Sequence, residues 1–243
     1  MTGLVLHLSG PLQAWGSTAQ ANVRPTYRVP TRSGMLGMIA CCLGRMRGAE
    51  NSDLRELSFT VRVDRTGQLL EDFHTIGAKH GPLKGLVTAT GGHAGKTALS
   101  TRYYLSDAAF TVAVEGPEEV ISLAENGLLF PHWTPHLGRR SCLPDVPILV
   151  GRFADAVAEL DRMPVHRIGD APLLFVYDSE TSHEGASSTQ YMDDPVAGSV
   201  RSWGPRRVWE VTREINARSG GVGTEFLDAL TQYLNEERTV GAS

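Results

Sequence analysis

Residues Gly3–Ser9 alternate in part between apolar and polar side chains, the period of a strand, and Gly10-Pro11 ends it. The stretch 11–31 has no helical period and carries Pro11, Pro25 and Pro30, which predicts an extended, basic loop. Thr31 or Ser33 then caps a predicted helix running to about Met46, because Met35, Leu36, Met38, Ile39, Cys42, Leu43 and Met46 fit one helical stripe. Gly34, Gly37 and Gly44 each cost that helix about 1 kcal/mol of intrinsic stability, which suits a helix pressed against a sheet or another backbone. A helical turn over Asp53–Leu57 leads into an alternating strand, Ser58–Asp64, closed by a turn at Arg65-Thr66-Gly67.

From about Leu70 to Tyr104 the pattern changes. Short β-prone runs alternate with Gly77, Gly81-Pro82, Gly85, Gly91-Gly92 and Gly95, and the glycine-rich centre at 90–95 predicts the tip of a long projecting hairpin. Ala109–Glu115 reads as a strand. Pro117–Asn126 reads as a helix that opens on Pro and two glutamates and stops at Gly127. Pro147–Phe153 is a strand, Phe153–Arg162 a helix, Pro172–Asp178 a strand, 179–207 a polar Gly/Ser-rich loop, Val208–Ile215 a strand and Glu225–Glu237 a terminal helix. No internal repeat is present.

Strand, helix, strand, hairpin insertion, strand, helix, strand is the ferredoxin-like order, shared with RNA-recognition modules. The predicted class is therefore α+β. Residues 1–152 form a ferredoxin-like (RRM-like) unit with an insertion at about 70–104, and residues 153–243 a small C-terminal α/β extension. Such a fold serves many functions, so function must come from the side chains.

At 243 residues, 41% hydrophobic and 21% charged, the chain is large enough for a buried core, and wholesale disorder is excluded. Cys41, Cys42 and Cys142 make no disulfide framework, which fits a reducing cytoplasm. No apolar run approaches the roughly 18 residues of a membrane span, and the N-terminus reads as a strand rather than a signal peptide.

Charge changes the picture more. A net charge of −4 argues against a polyanion partner, but the charges are segregated. The stretches 1–49, 73–106 and 126–144 hold 11 of the 23 basic residues and none of the 27 acidic ones. A chain so divided can present a positive face while staying acidic overall.

Several motifs fail on inspection. Gly91-Gly92-His93-Ala94-Gly95-Lys96-Thr97 resembles a P-loop but is one residue short between its glycines, and no strong helix follows. His132 and His136, with Cys142 downstream, have ligand-like spacing; Pro131 and Pro135 break the helix that would align them. Cys41-Cys42 reads as a pair of buried small hydrophobes and Asp193-Asp194 as a solvated loop. No metal or cofactor is expected.

Arg24, Arg28 and Arg32 stand four residues apart in a segment whose prolines prevent helix. Spacing alone allows a solvated basic loop as readily as a phosphate-binding one. Trp15 lies nearby, and Tyr27, Tyr103 and Tyr104 add flat faces. Arginines interleaved with aromatics are what single-stranded RNA binding uses, with cations on phosphates and rings on splayed bases. Trp15 serves equally well as a core or subunit-interface anchor.

The run Leu8-Ser-Gly-Pro-Leu-Gln-Ala-Trp-Gly16, followed by Arg24-Pro-Thr-Tyr-Arg-Val-Pro-Thr-Arg-Ser-Gly-Met-Leu-Gly37, resembles the start of the CasD family. These are RAMP-superfamily subunits of Cascade, the type I-E CRISPR surveillance complex. Thr101–Phe110 and Pro135–Cys142 are also similar, so the motifs span residues 8–142; beyond them the match is weak, with Arg207-Val208-Trp209 echoing a basic-aromatic end strand. The resemblance implies a ferredoxin-like palm with an inserted β-hairpin thumb. It implies a non-catalytic cytoplasmic subunit that grips the 5′ handle of the guide RNA (crRNA), caps the backbone subunits and contacts the large subunit. Target DNA would be met only through the complex, and no membrane is involved. Gln13, Trp15, Arg24, Arg28, Arg32, Ser33, Lys79, Lys84, Lys96, Arg102, Tyr103, Arg139 and Arg140 become the candidate RNA contacts. One alternative is a metal-independent endoribonuclease acting on repeat RNA, as the corresponding subunit of a related subtype is, with Tyr103, His80, His93 and Lys96 available as acid and base. Another is a protein-only assembly subunit whose basic surface meets acidic partners.

Overall fold

The computed structural model describes residues 2–17, 22–46, 48–76, 86–87, 93–94, 98–196 and 202–240. Its longer strands are β1 (Gly3–Ser9), β2 (Ser58–Arg65), β3 (Gln68–Ile76), β4 (Ala98–Ser106), β5 (Ala109–Glu115), β6 (Leu149–Phe153), β7 (Leu173–Tyr177), β8 (Ser187–Pro195) and β9 (Trp203–Arg213). Its helices are α1 (Arg32–Cys42), α2 (Glu118–Leu129), α3 (Ala156–Glu159) and α4 (Thr224–Val240). The result is a mixed α/β fold, the coarse class predicted.

The main sheet runs β6-β1-β5-β2-β7-β9-β8, with every neighbouring pair antiparallel. All of β1 is buried, and alternation along it divides its side chains between two cores. Leu4, Leu6 and Leu8 join Met35, Leu36 and Ile39 of α1 and Val120, Ile121 and Ala124 of α2. Val5 faces the other way, with Ala113, Ala156, Leu160 and Phe175. Residues beyond 153 add β7, β9 and β8 to the edge of β2, so one sheet runs through both parts of the chain.

Between β2 and β5 the chain leaves this sheet as a hairpin. β3 pairs with β4 from Gln68↔Ser106 to Ile76↔Ala98, so the arms reach two residues further on each side than the predicted 70–104. Gly67, at φ +64, makes the bend at its root, where a Cβ would stand 2.6 Å from the Ser106 carbonyl oxygen.

Four local expectations are corrected. α1 ends at Cys42 rather than about Met46; Gly44, at φ +71, lies just beyond the Leu43 cap, and Met46 is exposed. α2 continues through Gly127 to Leu129, because that glycine lets Leu43 approach: a Cβ there would meet Leu43 Cδ2 at 2.7 Å. α3 is a single short turn capped by Asp155, which accepts from the Ala158 amide. The predicted loop 179–207 contains β8, an edge strand whose mostly exposed, polar residues leave no hydrophobic signal and whose order comes from its backbone ladder with β9.

On the α3 side of the sheet, His7 Nε2 lies 2.9 Å from His166 Nδ1, and His7 Nδ1 lies 3.3 Å from Thr111 Oγ1. Phe226 of α4 stacks on His166 with ring centroids 4.1 Å apart. Burial pushes the pKa of His7 down to about 3 and that of His166 down to about 4. Both rings are neutral in the folded protein, so the unfolded chain binds more protons below pH 6.5. Stability is therefore full above pH 6.5 and lost as the pH falls toward the folded values. Urea melts at pH 7.5 and 5.0 are expected to differ by about 2 kcal/mol for each histidine. A flat profile across that window would mean that the pair carries a proton in the folded state.

Candidate nucleic-acid interface

The extended segment after β1 runs along the root of the hairpin. Leu12 and Gln13 pair with Ser106 and Leu105 of β4, and Val23 and Arg24 lie parallel to Thr101 and Arg102. The Thr101 amide donates to the Asn22 carbonyl at 3.0 Å. Arg24 and Arg102 are thus register neighbours. On the other side of Arg102 stands Asp72 of β3, directly opposite it in the antiparallel ladder, an opposite charge that offsets part of the repulsion between the two arginines. Arg24 and Arg28 are exposed, while Arg102 and Tyr103 are half-buried.

The loop 135–142 packs against this edge. Its anchors are the buried Leu137 and Cys142, and the Leu137 carbonyl accepts from the Ala14 amide at 3.0 Å. Gly138 has φ +89, and a Cβ there would fall 1.8 Å from the Ala14 oxygen, so only glycine permits this approach. Arg139 follows, its guanidinium 4.6 Å from the Tyr104 ring centre. It donates through Nη1 to the Tyr103 carbonyl (3.1 Å) and through Nη2 to the Arg24 carbonyl (2.9 Å). Arg140 is exposed; burial pushes the nearby Cys41 thiol up, and the Arg140 charge opposes that shift.

Tyr103 donates its hydroxyl proton to Glu71 Oε2 at 3.0 Å. That hydrogen bond raises the phenol pKa above its ordinary value, because it favours the protonated form. A phenol held in this way is a poor general base near neutral pH.

Other candidates are placed elsewhere. Gln13 is fully buried, its Nε2 donating to the carbonyls of Ala108 (2.8 Å) and Leu8 (3.1 Å) while its Oε1 accepts from Trp15 Nε1 at 3.0 Å. Trp15 is also fully buried, under Gly34 of α1, where a Cβ would meet its ring at 2.8 Å. Both are committed to the core, which corrects their assignment as RNA contacts. Tyr27 is engaged as well: it stacks on Tyr191 and accepts from the Met192 amide.

Arg32 is the larger correction. Its Nη1 donates to Asp178 Oδ2 (2.8 Å) and the Leu57 carbonyl (2.6 Å), and its Nη2 to the Arg55 carbonyl (2.6 Å). Its amide donates to Asp193 Oδ2 at 2.8 Å, so Asp193 sits at the positive N-terminus of α1. Asp193 is fully buried and paired with Arg206, not solvated as its sequence suggests. Burial pushes the Asp178 carboxyl up and outweighs Arg206 and Arg32, which pull it down. Ser33 is half-buried in the first turn of α1. Lys79, Lys84, Lys96 and His80 lie outside the described residues, and of His93 only the backbone is described. Sequence reading missed Gly138 and Glu71; a glycine directly before an arginine pair was the only local signal for the first.

The family model of CRISPR-associated protein (Cas_Cas5) matches residues 3–214. CRISPR system Cascade subunit CasD of Escherichia coli (strain K12) is 40% identical over 165 residues, 61% of this chain and 70% of that protein. A chain of a solved CRISPR RNA-guided surveillance complex superposes with a TM-score of 0.81 at 35% identity, covering 96% of this chain and 99% of that one. The crystal structure of a Cas protein gives 0.64 at 28% identity, over 90% and 99%. A family model that spans nearly the whole folded chain, and a fold shared along almost its full length, place the protein in the CRISPR-associated protein (Cas_Cas5) family.

Proposed function

We propose that this chain is a non-catalytic guide-RNA-binding subunit of a type I-E Cascade complex, gripping the 5′ handle of crRNA and capping the backbone subunits. The observation that carries the reading is the paired arrangement of Arg24 and Arg102 at the root of a projecting hairpin, beside Tyr103 and near the exposed Arg28. Phosphate contacts there supply affinity, and splayed bases supply identity. The order β6-β1-β5-β2, with α1 after β1 and α2 after β5, supports a ferredoxin-like palm. The β3–β4 hairpin is then its thumb, and residues 153–243 extend the palm. Arg140, Ser33 and the lysines Lys79, Lys84 and Lys96 complete the proposed RNA set. The partners are the backbone and large subunits, in the cytoplasm, with target DNA met only through the complex. Among the described residues no helix is long and apolar enough to cross a membrane. The hydrogen bond of Tyr103 to Glu71 works against this phenol as the base of an RNA cleavage.

The test uses labelled repeat RNA, with chelator present, and an Arg24→Ala/Arg28→Ala/Arg102→Ala variant. Intact, shifted RNA is expected. The variant should bind roughly 10- to 100-fold more weakly, with a log–log salt slope shallower by about 2. Discrete cleavage without metal would make the chain a processing endoribonuclease. Assembly with partner subunits that survives guide removal, with no RNA shift free or assembled, would make it a protein-only subunit.

A further inference from the structure

We propose that Arg139 is a positioning residue: its two-pronged guanidinium ties the basic segment at Arg24 to the root of the hairpin and so pre-forms the RNA site. The inference rests on the RNA reading above. Among the described residues two register pairs join the segment to β4, Val23 with Thr101 and Arg24 with Arg102. Further along, the segment is held by pairing of Thr26 and Tyr27 with Gly16 and Trp15, but at Arg24 itself a two-pair ladder is marginal. Arg139 bridges the junction by donating to one carbonyl on each side, Tyr103 on β4 and Arg24 on the segment. Its own position is over-determined. The guanidinium lies on the buried Tyr104 ring, and the loop behind it is fixed by Leu137, Cys142 and the left-handed Gly138. Among the described residues no carboxylate forms an ion pair with it. Its nearest polar partners are therefore backbone carbonyls rather than an acid. The two carbonyl bonds and the aromatic face explain why a planar, multi-donor cation stands there. A lysine at the same place keeps the charge but has no rigid fork to span the two carbonyls.

The experiment compares Arg139→Ala and Arg139→Lys in the full chain by repeat-RNA affinity, salt slope and amide exchange at Thr101, whose N–H is bonded to the segment at Asn22. Both variants are expected to bind about tenfold more weakly, with the salt slope unchanged and Thr101 exchange accelerated. Lysine that restores wild-type binding, with a slope shallower by about 1 for alanine alone, would make Arg139 a phosphate contact and overturn the proposal. So would wild-type affinity and exchange in both variants while Arg24→Ala/Arg102→Ala binds weakly. If that arginine pair also binds as wild type, the RNA reading fails, whereas Thr101 exchange still reports on the tie.

Discussion

Alanine at Arg62 is expected to cost about 3–5 kcal/mol, a large share of the stability of a domain this size. Arg62 and Asp64 are both fully buried on β2, with Nε–Oδ1 at 2.7 Å and Nη2–Oδ2 at 3.1 Å. The same guanidinium donates to the carbonyls of Leu160 (2.6 Å), Met163 (2.8 Å) and Pro164 (2.9 Å), fastening the segment after α3 onto the sheet. Burial pushes the Asp64 carboxyl up, and Arg62, by charge and hydrogen bonding, holds it below its ordinary value. Removing Arg62 strands a buried carboxylate and three carbonyls. Urea melts check the loss. Arg62→Met with Asp64→Leu should recover only part of it, because Asp64 also accepts from the His166 amide and the Thr111 hydroxyl. A single variant within about 1 kcal/mol of the parent would show the network to be dispensable.

Arg32→Ala should be the next most damaging change, at about 2–4 kcal/mol, lowering the melting midpoint by roughly 5–12 °C. Arg32 and Asp178 side chains are 11% and 12% exposed, and the pair joins the start of α1 to the end of β7. Without it, Asp178 keeps Arg206 and the Phe59 amide but loses its second guanidinium, and the carbonyls of Leu57 and Arg55 lose a donor. The consequence for function is specific. Arg32→Ala lowers RNA binding only as far as it unfolds the protein. Arg28→Ala, at an exposed position, weakens binding and leaves the midpoint in place. Thermal melts beside gel shifts separate the two. An Arg32→Ala protein that melts as wild type but loses RNA would return Arg32 to the RNA interface.

The strands at Gly3–Ser9 and Ala109–Glu115 were legible to the residue, because a buried strand needs a run of apolar positions bounded by turn-formers and both have one. An insertion between two core strands was legible, and its arms are β3 and β4; of the predicted glycine-rich tip at 90–95 all but 93–94 lies outside the described residues. β8 was not legible. Its residues are mostly polar and exposed, and its order depends on β9 alongside. α2 runs through Gly127, whose missing Cβ leaves room for Leu43, the cap residue of α1. The candidate site divided in the same way. Sequence by itself determined that arginines and tyrosines are supplied by residues 24–32, 102–104 and 139–140, since that is a property of each residue and its chain neighbours. Only the tertiary structure decided which of them face water. Arg24, Arg28 and Arg32 look alike in sequence, yet the Arg32 guanidinium is bound by a carboxylate 146 residues away and its amide by one 161 residues away, and Arg139 is turned onto backbone carbonyls 36 and 115 residues away. A guanidinium is satisfied by whatever acceptor the fold brings within about 3 Å, and sequence spacing carries no record of contacts made across such separations.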